Sequence, residues 1–237
     1  ISNNGLINAG NNIRIINNDK LNNENGFIVL TSNIAPLVRE NTNTNSTTAP
    51  KISIDTKTSL NNTNGSIISN GNIGDIDINV LTDYIINGTL YSNSNININA
   101  KNIRNYSDVI SANNITFTAN NGNIYNGSES TNATIIAMND IIFNILKNET
   151  NTGSLYNYGK ISANNNIEIN AEDSIYNGLT NTSNQINSSD QTNQSSQDTS
   201  NGNQPINTTT ANSNATITAN NNLTLTANNR IINKGYI

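Results

Sequence analysis

Apolar residues in this chain fall on alternate positions, in short runs separated by polar clusters. "ITFTA" (115–119), "IEINA" (167–171) and "LTLTA" (223–227) each set Ile, Leu, Phe or Ala against Thr, Glu or Asn. A period of two is the mark of a strand with one buried face. Long windows with i, i+3, i+4 apolar spacing are missing. The Asn and β-branched residues that dominate the chain are also poor helix formers. The pattern therefore predicts an all-β chain.

The runs recur. An aliphatic residue, any residue, then Asn, often followed by Gly, appears as Ile1-Ser2-Asn3, Leu21-Asn22-Asn23, Ile68-Ser69-Asn70, Ile85-Ile86-Asn87 and Ile103-Arg104-Asn105. It continues as Ile124-Tyr125-Asn126, Leu155-Tyr156-Asn157, Ile175-Tyr176-Asn177 and Ile231-Ile232-Asn233. Successive Asn positions are separated by 20, 47, 17, 18, 21, 31, 20 and 56 residues. Five of these lie near 20, and the long ones read as a unit plus an insertion. Whole units also align: "ISANNNIEINAEDSIYNG" (161–178) matches "ISANNITFTANNGNIYNG" (110–127) and "ITANNNLTLTANNRIINKG" (217–235), with "INAGNNIRIINNDKLNNENG" (7–26) a looser copy.

Each unit holds three short strands, too short to form separate hairpins that bury a core. A parallel β-helix, with one coil per unit of about 20 residues and identical positions stacked about 4.8 Å apart, fits this pattern. It predicts one inward column of Ile85, Ile103, Ile124, Leu155, Ile175 and Ile231, and small residues at the bends, namely Ala112, Ala163 and Ala219. It also predicts a structural ladder of Asn87, Asn105, Asn126, Asn157, Asn177 and Asn233, since Asn tolerates φ > 0 and hydrogen-bonds along a column of its own kind.

Two stretches break the period, at about 31–64 ("RENTNTNSTTAPK") and 179–214 ("NTSNQINSSDQTNQSSQDTSNGNQP"). Rich in Ser, Thr, Asn and Gln and low in apolar residues, they are expected to be loops extruded from one corner. The second is expected to be dispensable for folding. A smaller insertion falls between Asn126 and Asn157. The chain opens mid-pattern, so residues 1–237 are expected to form a single β-helical segment of a longer polypeptide.

Composition narrows the function classes. Sixteen acidic and 11 basic residues give a net charge of −5, without blocks of either sign. That argues against nucleic acid, which needs a concentrated basic face. Cysteine is absent, so there is no disulfide framework or thiolate metal site, and the chain suits passage through a secretion apparatus in the unfolded state. A hydrophobic content of 33% would ordinarily suggest disorder, but the alternation says otherwise.

Histidine is also absent, which removes Ser-His-Asp, Cys-His and His-metal chemistry. A carboxylate cluster of the kind that cleaves polysaccharides would need acids stacked on neighbouring coils. Aligned by coil, Glu168 falls on Ile142 and Thr224, Asp140 on Asn166, and Asp173 on Asn229, while Asp75 and Asp77 face solvent. No catalytic residue, metal or cofactor is expected. The threonine pairs Thr116/Thr118 and Thr224/Thr226 do not extend into a regular array, which removes an ice-binding face. Asn-x-Ser/Thr triplets such as Asn87-Gly88-Thr89 are numerous at this Asn content and leave glycosylation open.

The residue between the anchor's aliphatic and Asn positions faces outward. That column reads Ser2, Asn22, Ser69, Ile86, Arg104, Tyr125, Tyr156, Tyr176 and Ile232. Tyr125, Tyr156 and Tyr176 are either a cross-coil aromatic ladder or a binding stripe for glycan or protein.

A cysteine-free unit of about 20 residues, rich in Asn, Gly and Ala, with I-x-A and I-x-I-x-A strands, resembles the haemagglutinin-type repeats of filamentous haemagglutinin and related two-partner secretion exoproteins. These include adhesins and contact-dependent inhibition proteins. The resemblance implies a right-handed β-helical fibre outside a Gram-negative outer membrane, exported through an outer-membrane transporter. The function expected first is adhesion to a host or neighbouring cell through a surface receptor or glycan. The alternatives are the stalk of a toxin-delivery protein or, less in keeping with the acid columns, a polysaccharide-degrading β-helix enzyme.

Overall fold

A computed structural model describes residues 1–31, 50–71, 74–128, 130–147, 152–178 and 214–237. Its strands form three parallel sheets of 8 strands, each sheet taking every third strand in chain order. This is a parallel β-helix of eight coils. Sheet I opens each coil with Leu6–Ala9, Phe27–Leu30, Ser66–Ser69, Thr89–Ser92, Asp108–Ser111, Thr134–Ala137, Lys160–Ala163 and Thr216–Ala219, which number coils 1 to 8. Coil 5 shows the full unit, with Asp108–Ser111 in sheet I, Ile115–Ala119 in sheet II and Ile124–Asn126 in sheet III.

Alternation builds the core directly. In coil 5, Val109, Ile115, Phe117, Ala119 and Ile124 are fully buried, while the residues between them face out. Stacking in register repeats the arrangement, with Ile96, Ile115, Ile141 and Ile167 paired in sequence along sheet II. Phe117 and Phe143 stack with ring centroids 5.3 Å apart. Each buried Ile, Leu or Phe contributes roughly 1.5–3 kcal/mol. Ile231, in the last coil, stacks on Ile175 on one side only and is 46% exposed.

The inward column of sheet III is Leu21, Leu60, Tyr84, Ile103, Ile124, Leu155, Ile175 and Ile231. Tyr84, not Ile85, is the coil 3 member, and Ile85 faces outward. The reason is that "DYII" starts one residue earlier than an Ile-Ile-Asn anchor requires, burying Tyr84 and Ile86. Ile68-Ser69-Asn70 is no anchor either, because Ile68 belongs to sheet I. The coil 2 anchor is Leu60-Asn61-Asn62, within the stretch assigned above to an insertion. Lys51–Thr56 is likewise a strand, with Ile52 and Ile54 buried, so the first insertion ends before residue 51.

The small-residue column at the end of sheet I runs Ser111, Ala137, Ala163, Ala219. Ala112 lies outside it, because the turn in "SANNI" is one residue shorter than that in "SANNNI".

The interruptions of the period fall at three different corners. One lies between Leu30 and Lys51 at the I–II corner, one between Ile145 and Leu155 at the II–III corner, and one between Asn177 and Thr216 at the III–I corner. Most of 31–64 up to residue 49, and 179–213, lie outside the described residues. Coils 7 and 8 nevertheless stack in register, with Lys160–Ala163 on Thr216–Ala219 and Ser174–Asn177 on Arg230–Asn233.

Candidate functional site: asparagine ladders, a tyrosine stack and a corner groove

Asparagine does different work at each corner. At the III–I corner it is buried. Asn105 Nδ2 donates to Asn126 Oδ1 at 2.9 Å, Asn126 to Asn157 at 2.8 Å, Asn157 to Asn177 at 2.7 Å and Asn177 to Asn233 at 2.7 Å. The second amide hydrogens reach the carbonyls of Thr134, Lys160, Thr216 and Tyr236. Asn3, Asn23 and Asn62 form the same ladder at the other end, at 2.7 and 2.6 Å.

Asn87 is not a member. It is exposed, and Ile86 occupies its position in register with Asn105. Close packing accompanies these ladders. A Cβ on Gly65 would lie 2.1 Å from the Asn23 carbonyl oxygen, and Gly178 turns the chain at φ +83°.

Two further ladders were legible in the sequence only where Asp140 fell on Asn166 and Asp173 on Asn229. At the I–II corner, Asp75 accepts from Asn95, Asn113 donates to Asn95, Asn139 to Asn114, Asn166 to Asp140 and Asn222 to Asn166. At the II–III corner Asn102 donates to Asp83, and Asn229 to Asp173. The repeated Ala-Asn-Asn triplets were the available signal, since Asn side chains one coil apart can pair only when their turns coincide.

Tyr125, Tyr156 and Tyr176 stack along sheet III, with centroids 5.0 and 4.9 Å apart and planes within 8° and 10°. The Arg104 guanidinium lies 5.3 Å over Tyr125 and that of Arg230 lies 5.7 Å from Tyr176. Asp83 fixes Arg104 with an ion pair at 3.2 Å. Burial raises the Tyr156 phenol above its ordinary value, with Tyr176 and Tyr125 adding to the rise and hydrogen bonds with Thr152 and Ser154 opposing it.

The geometry decides what the stack can do. A sugar or peptide binds an aromatic ring through its face, and here the faces are taken by the neighbouring rings and guanidiniums. Tyr176 is only 4% exposed. The arrangement is suited to holding coils together, at roughly 0.5–1.5 kcal/mol per pair.

The open concavity lies elsewhere. A groove of about 560 Å³ runs along the II–III corner across coils 1 to 5. Its exposed apolar members are Ile16 and Leu81, at 56% and 71%, above the buried Val80 and Ala100. Lys57 and Lys101 are exposed in coils 2 and 4, and Asp55, Asn79, Asn99 and Asn120 supply carboxylate and amide groups. Asn79 Nδ2 donates to Asp55 at 2.9 Å, and Asn120 to Asn99.

The groove adjoins a smaller depression on the outer face of sheet II, sharing Asp55, Asn79 and Asn99 with it and lined also by Lys51, Asp77, Asn97, Thr116 and Thr118. There Asp77 pairs with Lys51 at 3.2 Å and accepts from Asn97. In the strand registers of this face, each carboxylate lies beside a residue of another type, as Asp77 does beside Ser53 and Asn97. Among the described residues, no three His, Cys, Asp or Glu side chains gather as metal ligands. No family model, curated protein or solved structure matches this chain.

Proposed function

We propose that this β-helix is a segment of a secreted, cell-surface fibre that attaches to host or neighbouring cells and does no chemistry on what it holds. The supporting observation is the groove, an open, elongated concavity laid along a rod whose coils are locked by three sets of side-chain ladders. Such a rod resists bending and presents its sides, not a pocket, to a partner. Amide and hydroxyl groups with a few paired charges suit reversible hydrogen bonding to a glycan or receptor. The likeness of the repeats to haemagglutinin-type exoproteins points the same way, including export through an outer-membrane transporter to the surface of a Gram-negative cell.

The test is adherence. Beads coated with the folded 237-residue chain are expected to bind cultured epithelial or bacterial cells above beads coated with the same chain unfolded. Equal binding by the unfolded chain, or release of sugar reducing ends from the cell surface, contradicts the reading.

A further inference from the structure

The groove carries a charge pattern with a defined spacing. Lys57, Leu81 and Lys101 come from coils 2, 3 and 4 and line it in that order. The two lysines thus spring from positions two coil steps apart, roughly 10 Å along the rod, with an exposed leucine between them. Neither lysine has an ion-pair partner among the described residues, although Lys51 and Arg104 do. In a chain of net charge −5 these are two exposed cations lining one groove, unpaired among the described residues. Beside them, Asp55, Asn79, Asn99 and Asn120 offer acceptors and donors one coil apart.

We propose that the II–III groove binds an acidic oligosaccharide in which every second sugar carries a carboxylate, lying along the rod axis with about one ring per coil. This deepens the adhesive reading and rests on it for its biological setting. Lys57 and Lys101 receive successive carboxylates as charge-assisted hydrogen bonds. Leu81 packs against the apolar C–H face of the uncharged sugar between them. The amides and Asp55 take the ring hydroxyls or an acetamido group, in the way that convergent polar groups orient a bound sugar in a cleft. Acetamido and hydroxyl contacts distinguish such a glycan from a bare polyanion, which would use only the lysines and lose most of its affinity with salt.

The experiment measures binding of a fluorescent hexasaccharide of alternating glucuronate and N-acetylglucosamine to the full chain by anisotropy. Comparisons are a neutral chitin hexasaccharide and polyaspartate of equal charge. Lys57→Gln and Lys101→Gln are each expected to weaken hexasaccharide binding about tenfold, the loss of one charged hydrogen bond. Leu81→Asp should weaken it further. Lys160→Gln, on the exposed side of sheet I, should leave it unchanged, and circular dichroism melts should match the parent chain in all four.

The chitin hexasaccharide binding as tightly overturns the role of the lysines. Polyaspartate competing equally, with the same salt dependence, overturns the glycan assignment in favour of a general polyanion site. An unmoved affinity in both lysine variants overturns the site. Adherence of the parent chain to cells in the absence of hexasaccharide binding would sink this inference and leave the adhesive reading standing.

Discussion

At the III–I corner, coils 4 to 7 bury an asparagine where coil 3 buries Ile86. In the regular coils, one amide hydrogen reaches the next Asn at 2.7–2.9 Å and the other reaches a carbonyl at 3.0–3.3 Å. Below coil 3, the Asn62 amide has no Asn to meet and settles for the carbonyls of Gly65 and Thr89, both at 3.4 Å. The neighbouring inward position compounds the difference. Tyr84 is fully buried and its hydroxyl has no hydrogen-bond partner among the described residues, whereas every other coil places Ile or Leu there. The asparagine column is therefore a cooperative device. Each member satisfies its neighbour, and one substitution in the native chain divides it into a short N-terminal ladder and a long C-terminal one.

The largest test breaks the intact side. Asn126→Leu imposes on the long ladder what Ile86 imposes on the corner naturally. It strands the Asn105 amide, which is buried, and removes the donors to Asn157 and the Lys160 carbonyl. Unfolding in guanidinium is expected to show a loss of about 3 kcal/mol. A loss below about 1 kcal/mol would mean that the ladder holds little.

Tyr84→Phe works on the broken side. Removing a buried, unpaired hydroxyl should raise stability by about 1 kcal/mol. It also has a pH signature. Burial raises the Tyr84 phenol far above its ordinary value, and Tyr156 is raised as well. Above pH about 10 the unfolded chain ionises these phenols while the folded chain keeps them protonated, so stability falls as pH rises. Equilibrium unfolding between pH 8 and 11.5 should show that fall, and Tyr84→Phe should make it shallower. An equal slope in the variant counts against the assignment.

The smallest effect joins the two ladders. Ile86→Asn loses the burial of an Ile and gains hydrogen bonds to Asn62 and Asn105, so the two changes should nearly cancel, within about 1 kcal/mol. Its readout is cooperativity, with a steeper denaturant transition expected as the two stretches unfold together.

These same coils explain what the sequence disclosed. From Asn105 onward, the Ile-x-Asn anchor, the Tyr column and the inward Ile column are legible because each coil repeats the same residue types. Upstream the signal fails for physical reasons. Coil 3 replaces the diagnostic Asn with Ile86, leaving Ile85-Ile86-Asn87 as a decoy one residue out of phase. Ile68-Ser69-Asn70 has the right letters on the wrong sheet, while Leu60-Asn61-Asn62 lay hidden among polar residues. The tyrosines were visible as a column, but a column does not reveal ring orientation, and it is the face-to-face stacking that leaves no ring face for a ligand. The groove was not legible, because it depends on the turn geometry that brings Leu81, Lys57 and Lys101 onto one edge.

The claim that asparagine pairing binds coil to coil, and that coil 3 is where it lapses, is tested most directly by hydrogen–deuterium exchange of the native chain. Peptides from coils 4 to 7, covering 102–126 and 155–177, are expected to share one slow exchange rate, with 83–92 exchanging measurably faster between protected flanks. Protection at 83–92 equal to or greater than that of the regular coils would contradict it.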